Sequence, residues 1–154
     1  MSMTMNGEVQ LPAPRAVVWE KLNDPKVLAA CIPGCESLEQ DSPTEMRAAV
    51  KVKVGPVSAR FKGRVELQNI VPEVSYRIQG EGEGGIAGFA KGGADVRLED
   101  GDFGSTKLFY DVQATVGGKI AQLGGRLINS VAKKNADDFF QNFTAVITGD
   151  KIVG

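Results

Sequence analysis

The stretch MRAAVKVKVGPVSARFKGRVEL, residues 46–67, alternates apolar and polar side chains on both sides of a Gly-Pro pair. Such a period of two is typical of a strand that buries one face and exposes the other. Gly55-Pro56 at the centre is a turn signal, and the alternation resumes directly after it. The stretch therefore predicts two antiparallel strands joined by a tight turn, with one face of the pair against a core.

The alternation recurs elsewhere and gives way to a helical period near the C-terminal end. Two short helices are predicted between residues 14 and 31, where prolines precede apolar residues at helical spacing. From Ile120 to Ile147 the apolar residues recur every three or four positions, which predicts one amphipathic helix of roughly thirty residues. The further alternating segments are residues 3–11, 74–79, 94–99 and 107–116.

Because each strand has one apolar face, the sheet needs cover on one side only, and the long helix is available to supply it. We predict an α+β fold of the helix-grip type. It is a curved antiparallel sheet of about seven strands wrapped on one long C-terminal helix, with two short helices after the first strand. Residues 1–154 are expected to form a single domain of this kind. A sheet and a helix of this shape often fail to meet along their whole length, so we also expect an internal cavity.

The composition excludes several classes of function. With 18 Lys and Arg against 19 Asp and Glu, the net charge is −1, which argues against a nucleic-acid-binding protein. The absence of histidine removes His-based catalytic triads and His metal sites. Cys31 and Cys35 are too few for a tetrahedral zinc site, and their spacing is not that of a redox CxxC motif. We expect two reduced thiols, no metal site and no catalytic residues.

The sequence gives no sign of export or membrane insertion. Residues 1–10 lack the basic and apolar stretches of a targeting segment. The longest uncharged runs are shorter than the roughly 18 residues of a membrane span. We therefore expect a cytoplasmic protein.

Two glycine motifs need an explanation. Residues 80–85 match G-x-G-x-x-G, but they lie between strands, and Glu81 and Glu83 would repel a pyrophosphate. We interpret them as a bent strand region. Gly124-Gly125 interrupts the long predicted helix, where each glycine costs up to about 1 kcal/mol. Either a strand packs unusually close there, or the helix offers a smooth wall beside a ligand.

Several motifs resemble the CoxG family, the G subunits of carbon monoxide dehydrogenase, within the START-like and Bet v 1-like (SRPBCC) helix-grip superfamily. The resemblance covers nearly the whole chain, and the most specific segment is CIPGCE, residues 31–36. The other segments are MNGE (5–8), LPAPR (11–15), VW (18–19), LNDP (22–25), VL (27–28), GFAKG (88–92) and VRL (96–98).

The resemblance implies a non-enzymatic accessory protein of a molybdenum-containing carbon monoxide dehydrogenase or a related hydroxylase. It also implies a hydrophobic cavity, which would suit a quinone or another lipid, and peripheral contact with the cell membrane. Facing directions in the predicted strands and helices then give the residues expected at the ligand. These are Ile32, Phe61, Tyr76, Phe89, Leu108, Tyr110, Leu123 and Leu127. Tyr76, Tyr110 or a backbone amide near Gly88 are the candidate hydrogen-bond donors to a quinone carbonyl. The entry is expected between Ile32 and Phe89.

The outer face of the predicted sheet leaves two interpretations open. Lys51, Lys53 and Lys62 share that face and are candidates for contact with an anionic membrane or an acidic partner. Acidic residues occur on outer faces too, so an ordinary solvated surface is the competing interpretation. Two alternative functions also stay open: a docking module that holds no ligand, and, less favoured, a small hydrolase-like or cyclase-like enzyme.

Overall fold

Seven antiparallel strands form one sheet, and the computed structural model describes residues 1–149. The strands are β1 (Ser2–Leu11), β2 (Cys35–Ser42), β3 (Glu45–Val54), β4 (Val57–Val71), β5 (Ser75–Glu83), β6 (Phe89–Asp100) and β7 (Thr106–Gly117). The α-helices are α1 (Arg15–Leu22), α2 (Pro25–Cys31) and α3 (Gly125–Thr148). The strand order is β1-β7-β6-β5-β4-β3-β2, so the chain from β2 onward is a meander and β1 closes beside the last strand. This confirms the predicted helix-grip fold.

The stretch on which the prediction rests forms the hairpin of β3 and β4. Its register pairs Met46 with Val65 at one end and Val54 with Val57 at the turn. Gly55 has a φ of +57°, which places it in the left-handed region that a tight turn uses. The predicted hairpin is therefore confirmed residue by residue.

Strand β2 is not predicted by the alternation of apolar and polar residues. Its pairing with β3 is interrupted twice, between Cys35 and Ser37 and again between Gln40 and Ser42. Each such irregularity inserts an extra residue and shifts the side chains that follow to the other face. A pattern with a period of two is lost under those shifts, which explains why the segment has no clear strand signal.

The predicted start of the long helix is wrong. Residues Lys119–Leu123 form a separate turn of 3₁₀ helix, and α3 begins only at Gly125. Gly124 between them has φ +94° and ψ 151°, which is far from helical. A Cβ placed on Gly124 would meet nothing within 4 Å, so close packing of a strand is not the reason for this glycine. The reason is conformational, because the chain turns there through a backbone geometry that only glycine adopts readily.

The buried apolar residues fall into two separate clusters. The first joins α1, α2 and the C-terminal part of α3 to the sheet, and Phe143, Leu11 and Val18 at its centre are fully buried. The second lies around Val116 and Ile128, near the start of α3. The inward face of the sheet between the clusters is therefore where space for a ligand can remain.

The glycines of the sheet differ in how closely the neighbouring strand approaches them. At Gly92 in β6 an added Cβ would lie 2.1 Å from the carbonyl oxygen of Gln113 in β7. At Gly82 in β5 the nearest atom to an added Cβ is the carbonyl oxygen of Lys62, at 3.6 Å, an ordinary contact. Gly80 and Gly82 lie inside β5, so the G-x-G-x-x-G match does not precede a helix of the kind that binds a dinucleotide.

Replacing Gly92 by alanine is expected to destabilise the protein, because β6 and β7 must move apart to admit the methyl group. Overpacking of this kind costs about 1–3 kcal/mol. The matched control is Gly82→Ala, which has room and is expected to be neutral or to stabilise by up to about 1 kcal/mol. Urea unfolding followed by circular dichroism measures both. Equal stability of the two variants would contradict the close approach of β6 and β7 at Gly92.

Candidate ligand-binding site

Helix α3 comes closest to the sheet near the sheet's two edges. Its backbone approaches β1 on one side and β3 on the other, while the strands from β7 to β4 lie between those two lines of contact. The helix backbone therefore lies farther from the central strands, where side chains such as that of Tyr110, which stacks on Phe140 of α3, reach across. The interior above the central strands is therefore the candidate site.

Six apolar residues on the inward face of the sheet belong to neither buried cluster and remain partly exposed. They alternate in phase with core residues of the same strands, such as Val96 in β6 and Leu108 in β7. Their cross-strand neighbours include glycines: Ala48 pairs with Gly63, and Ala114 pairs with Gly92. Three of the six residues are alanines, so side chains are short over part of this face. We refer to the six as the open band: Met5, Ala48, Val50, Ala94, Val112 and Ala114.

A groove of about 550 Å³ leads to one end of the open band. Its walls come from the segment after α2, from β3 and from α3, and its apolar residues are Ile32, Pro33, Val50, Val52, Val131, Ala136 and Phe139. Val50 belongs to both features, so the groove opens onto the band. Lys51, Lys53 and Lys134 also border the groove, while no Asp or Glu of the described residues does. An apolar groove with basic residues beside it suits an apolar ligand with a polar or anionic end.

Hydrogen bonds on two sides hold the segment that covers this groove. The carboxylate of Asp24 caps α2 by accepting from the backbone N–H of Lys26, and this fixes where the helix starts. At the other end of α2, the side-chain amide of Asn142 in α3 donates to the carbonyl oxygen of Cys31 at 3.1 Å. The backbone N–H of Lys51 in β3 donates to the carbonyl oxygen of Gly34 at 2.9 Å. The Ile32–Gly34 segment, called the lid below, is thus tied to both walls of the groove.

The eight residues expected at the ligand are distributed along the whole interior and do not form one pocket. Ile32 lines the groove, as expected for a lid residue. Phe61, Leu123 and Leu127 pack against the second buried cluster. Phe89 is 40% exposed at the start of β6.

The remaining predicted ligand residues lie with the first buried cluster. Tyr76 and Leu108 are buried in it, and Tyr110 packs against it. The groove is also lined by Val50, Val52, Val131 and Ala136, which are not among the predicted ligand residues, and by Phe139, which the sequence assigns to the core. The signal for the helix residues is present, since they fall on or beside the predicted apolar stripe of α3.

The two tyrosines keep their hydroxyl groups available as donors. Tyr76 packs edge-on against Trp19, with ring centroids 5.2 Å apart, and burial raises the pKa of its hydroxyl well above the ordinary value. Tyr110 stacks on Phe140 of α3 with centroids 5.5 Å apart. Within residues 1–149 neither hydroxyl has a hydrogen-bond partner; Tyr76 is packed inside the first buried cluster, and the hydroxyl of Tyr110 lies against Gly7 of β1.

The basic residues of the outer face differ in their pairing. Arg60 forms a bidentate pair with Glu36, and Arg47 pairs with Asp41 and Glu39. The predicted surface lysines, in contrast, are exposed and have no ion-pair partner in the described part of the chain; they are Lys51, Lys53 and Lys62. Arg64 on the same face is likewise exposed and forms no ion pair in the described part of the chain, and Glu83 lies opposite Lys62 in the register of β4 and β5.

A wider depression of about 730 Å³ lies on the outer face across β1, β7, β6 and β5. Its charged groups largely satisfy one another: Arg77 pairs with Asp95 at 3.0 Å, and Arg97 lies over the ring of Phe109 at 4.4 Å. Residues 1–149 hold no group of three acidic or cysteine side chains that could bind a metal ion. None of the helices in these residues is both long and apolar enough to cross a bilayer.

Comparison with known proteins confirms the resemblance seen in the sequence. The profile of the family described as the G subunit of carbon monoxide dehydrogenase (CoxG) matches residues 7–148. A conserved protein from Geobacillus kaustophilus is 33% identical, with a TM-score of 0.90 over 96% of both chains. No protein of curated function matches the sequence.

Two more distant solved structures share the fold alone. A START superfamily protein from Mycobacterium smegmatis is 13% identical, with a TM-score of 0.72 over 95% of this chain and 97% of its own. The ZhuI aromatase/cyclase from Streptomyces sp. R1128 is 15% identical, with a TM-score of 0.68 over 96% of this chain and 94% of its own.

The two cysteines beside the lid are expected to differ in reactivity. Cys31 is fully buried, and burial raises its pKa to about 11, whereas Cys35 is only partly buried. Because the thiolate is the reactive form, native protein at about pH 8 should add N-ethylmaleimide at Cys35 well before Cys31. Mass spectrometry of the adducts against time, with and without urea, measures this. The rate should rise with pH at both thiols, and Cys35→Ser should leave a native protein that is nearly unreactive. Equal native rates would contradict the closed lid.

Proposed function

Because the chain belongs to the CoxG family of carbon monoxide dehydrogenase, we propose that it is a non-enzymatic accessory protein of a molybdenum-containing carbon monoxide dehydrogenase or a related hydroxylase. It binds a hydrophobic ligand, a quinone or another lipid, between the sheet and α3. The observation that carries this proposal is the open band, a set of inward-facing apolar residues that a groove connects to solvent.

The chemistry of the interior suits an isoprenoid or acyl chain. Apolar surface gains about 25 cal/mol for each Å² that leaves water, so a long chain over the open band gains substantial free energy. Tyr76 and Tyr110 offer hydroxyl donors for a quinone carbonyl. The ligand is held without covalent attachment and is the only cofactor proposed.

An enzyme is the less favoured function, although one protein of the same fold is an aromatase/cyclase. The sequence has no histidine, and within the described residues neither the groove nor the open band contains an Asp or Glu side chain that would act as a general acid or base. The residues of the interior support binding more than turnover.

Membrane contact forms a second part of the proposal. Lys51, Lys53 and Lys62 are exposed on the outer face and form no ion pair within residues 1–149, and Lys51 and Lys53 border the groove. We assign them to anionic lipid headgroups at the inner face of the cell membrane, where each lysine near the surface contributes about 1 kcal/mol. A groove that faces the membrane in this way would receive a lipophilic ligand directly.

Filling the groove should prevent ligand uptake without disturbing the fold. Ala136 is partly buried in the groove, so Ala136→Trp places an indole where the ligand would pass. Native mass spectrometry after incubation with a short-chain ubiquinone or menaquinone measures the bound fraction. We expect the affinity for the quinone to fall by about tenfold or more, because the ligand can enter only if the packed indole moves aside. The matched control is Ser130→Trp, which adds the same side chain to an exposed position on α3.

The results with Ala136→Trp and with the wild type test different parts of the proposal. Uptake by Ala136→Trp equal to that of the wild type would refute this location of the site. A wild-type protein that comes empty from its own host and takes up neither quinone would refute the ligand itself, and would favour the docking module without a ligand.

Reversing the charge of the three lysines tests the membrane contact. Lys51→Glu, Lys53→Glu and Lys62→Glu together should abolish sedimentation with vesicles of phosphatidylglycerol and phosphatidylcholine in equal amounts. The control reverses three exposed lysines elsewhere, Lys91, Lys107 and Lys119, and so makes the same change in net charge. If both triple variants lose vesicle binding equally, the effect is one of net charge and the assignment to this face fails.

A further inference from the structure

Four large apolar side chains are exposed together at the end of the sheet where the β4–β5 and β6–β7 hairpins turn. Ile70 and Val74 are 40% exposed, Val71 is 49% exposed, and Phe103 at the apex of the β6–β7 turn is completely exposed. Strands β4 to β7 are consecutive neighbours, so both turns lie at the same end, opposite the β5–β6 turn. We call residues 69–74 and 99–105 the hairpin end.

Arg15, from the first turn of α1, ties the two turns together. Its Nε donates to Oδ1 of Asp100 at 2.8 Å, and its Nη1 donates to the carbonyl oxygen of Glu73 at 3.0 Å. The backbone N–H of Leu98 also donates to the carbonyl oxygen of Val74 at 2.8 Å. The apolar side chains of the two turns are therefore presented as one surface.

The turn that carries Phe103 is built to hold this side chain outward. The backbone N–H of Gly101 donates to the carbonyl oxygen of Ser105 at 2.9 Å, and the Ser105 hydroxyl donates to the carbonyl oxygen of Asp102 at 2.7 Å. Gln10 of β1 donates from Nε2 to the same hydroxyl at 3.0 Å. Phe103 itself has φ 55° and ψ 40°, a left-handed conformation that is unusual for a bulky residue. An exposed aromatic ring in such a position is typical of a residue retained for contact rather than for packing.

The charge of the hairpin end selects the kind of partner. Its two segments contain Glu73, Glu99, Asp100 and Asp102 and no lysine or arginine. Arg15 pairs with Asp100, and Arg97 pairs with Glu99. Glu73 and Asp102 have no ion-pair partner within residues 1–149. An anionic membrane would repel this surface, whereas a basic protein surface would complement it.

We propose that the hairpin end is a protein-docking surface, and that its partner offers an apolar pocket for Phe103 surrounded by lysine and arginine side chains. This inference rests on the proposed function in one respect: the partner is taken to be the molybdenum hydroxylase. Lys51, Lys53 and Lys62 on the outer face then contact lipid, whereas the hairpin end contacts protein.

Removing the aromatic ring tests the docking surface. Phe103→Asn suits the left-handed backbone, so the fold is expected to be kept. Binding to the purified molybdenum hydroxylase of the same organism, measured by biolayer interferometry, should weaken by about tenfold or more, as for a central aromatic anchor. The matched control is Ile86→Asn, which makes a similar change at the β5–β6 turn, where Ile86 is 90% exposed. It should bind like the wild type.

Reversing the two unpaired charges tests the nature of the partner. Glu73→Lys with Asp102→Lys should weaken binding to the hydroxylase and make it less sensitive to salt. The same variants are tested on the phosphatidylglycerol vesicles. If Phe103→Asn weakens vesicle binding and the double reversal strengthens it, the hairpin end faces the membrane and the inference is overturned.

The outcomes separate the docking surface from the function on which it rests. Wild-type binding that Phe103→Asn leaves unchanged overturns the hairpin end as the docking surface and leaves the accessory function intact. A wild-type protein that does not bind the hydroxylase overturns both the partner in the proposed function and the inference, while quinone uptake still reports on the ligand site.

Discussion

The separation between α3 and the middle of the sheet is the constraint on which the rest of the structure depends. The helix is held near both edges of the sheet, at β1 and β3, while the strands between carry glycine and alanine on the inward face. Larger residues fill other positions of the same strands, such as Tyr76 in β5 and Leu108 in β7, and these belong to the first buried cluster. The open band belongs to neither of the two buried clusters, and the groove beside the lid meets the band at Val50.

The sequence predicts the parts of the fold that depend on periodicity and misses those that depend on single backbone angles. The β3–β4 hairpin follows from alternation alone, whereas β2 is hidden by two irregularities in its pairing. The predicted start of α3 is misplaced because the side-chain pattern continues through Gly124 although its φ of +94° ends any helix. Site residues are harder still. Facing direction puts Tyr76 and Val50 in the same class, and only the position of Trp19 against Tyr76 shows that one is packed while the other is open.

A net charge of −1 conceals a segregated surface. Unpaired lysines lie on the outer face near the groove, while the hairpin end contains carboxylates and no basic residue. The composition argues against nucleic acid, yet it says nothing about this separation. Under the two proposals above, Lys51, Lys53 and Lys62 would contact lipid and the hairpin end would contact a protein.

The hydrogen bonds that tie the lid to both walls of the groove bear on how fast a ligand leaves. Asn142 of α3 holds the carbonyl oxygen of Cys31, and Lys51 of β3 holds that of Gly34, so the lid opens only when one of these bonds breaks or when α3 shifts with it. For a ligand beneath such a lid, residence time is governed by the frequency of this opening. A longer apolar tail would have to leave the groove within one such opening, so it would depart more slowly, and differences in affinity between these ligands would lie mainly in the dissociation rate.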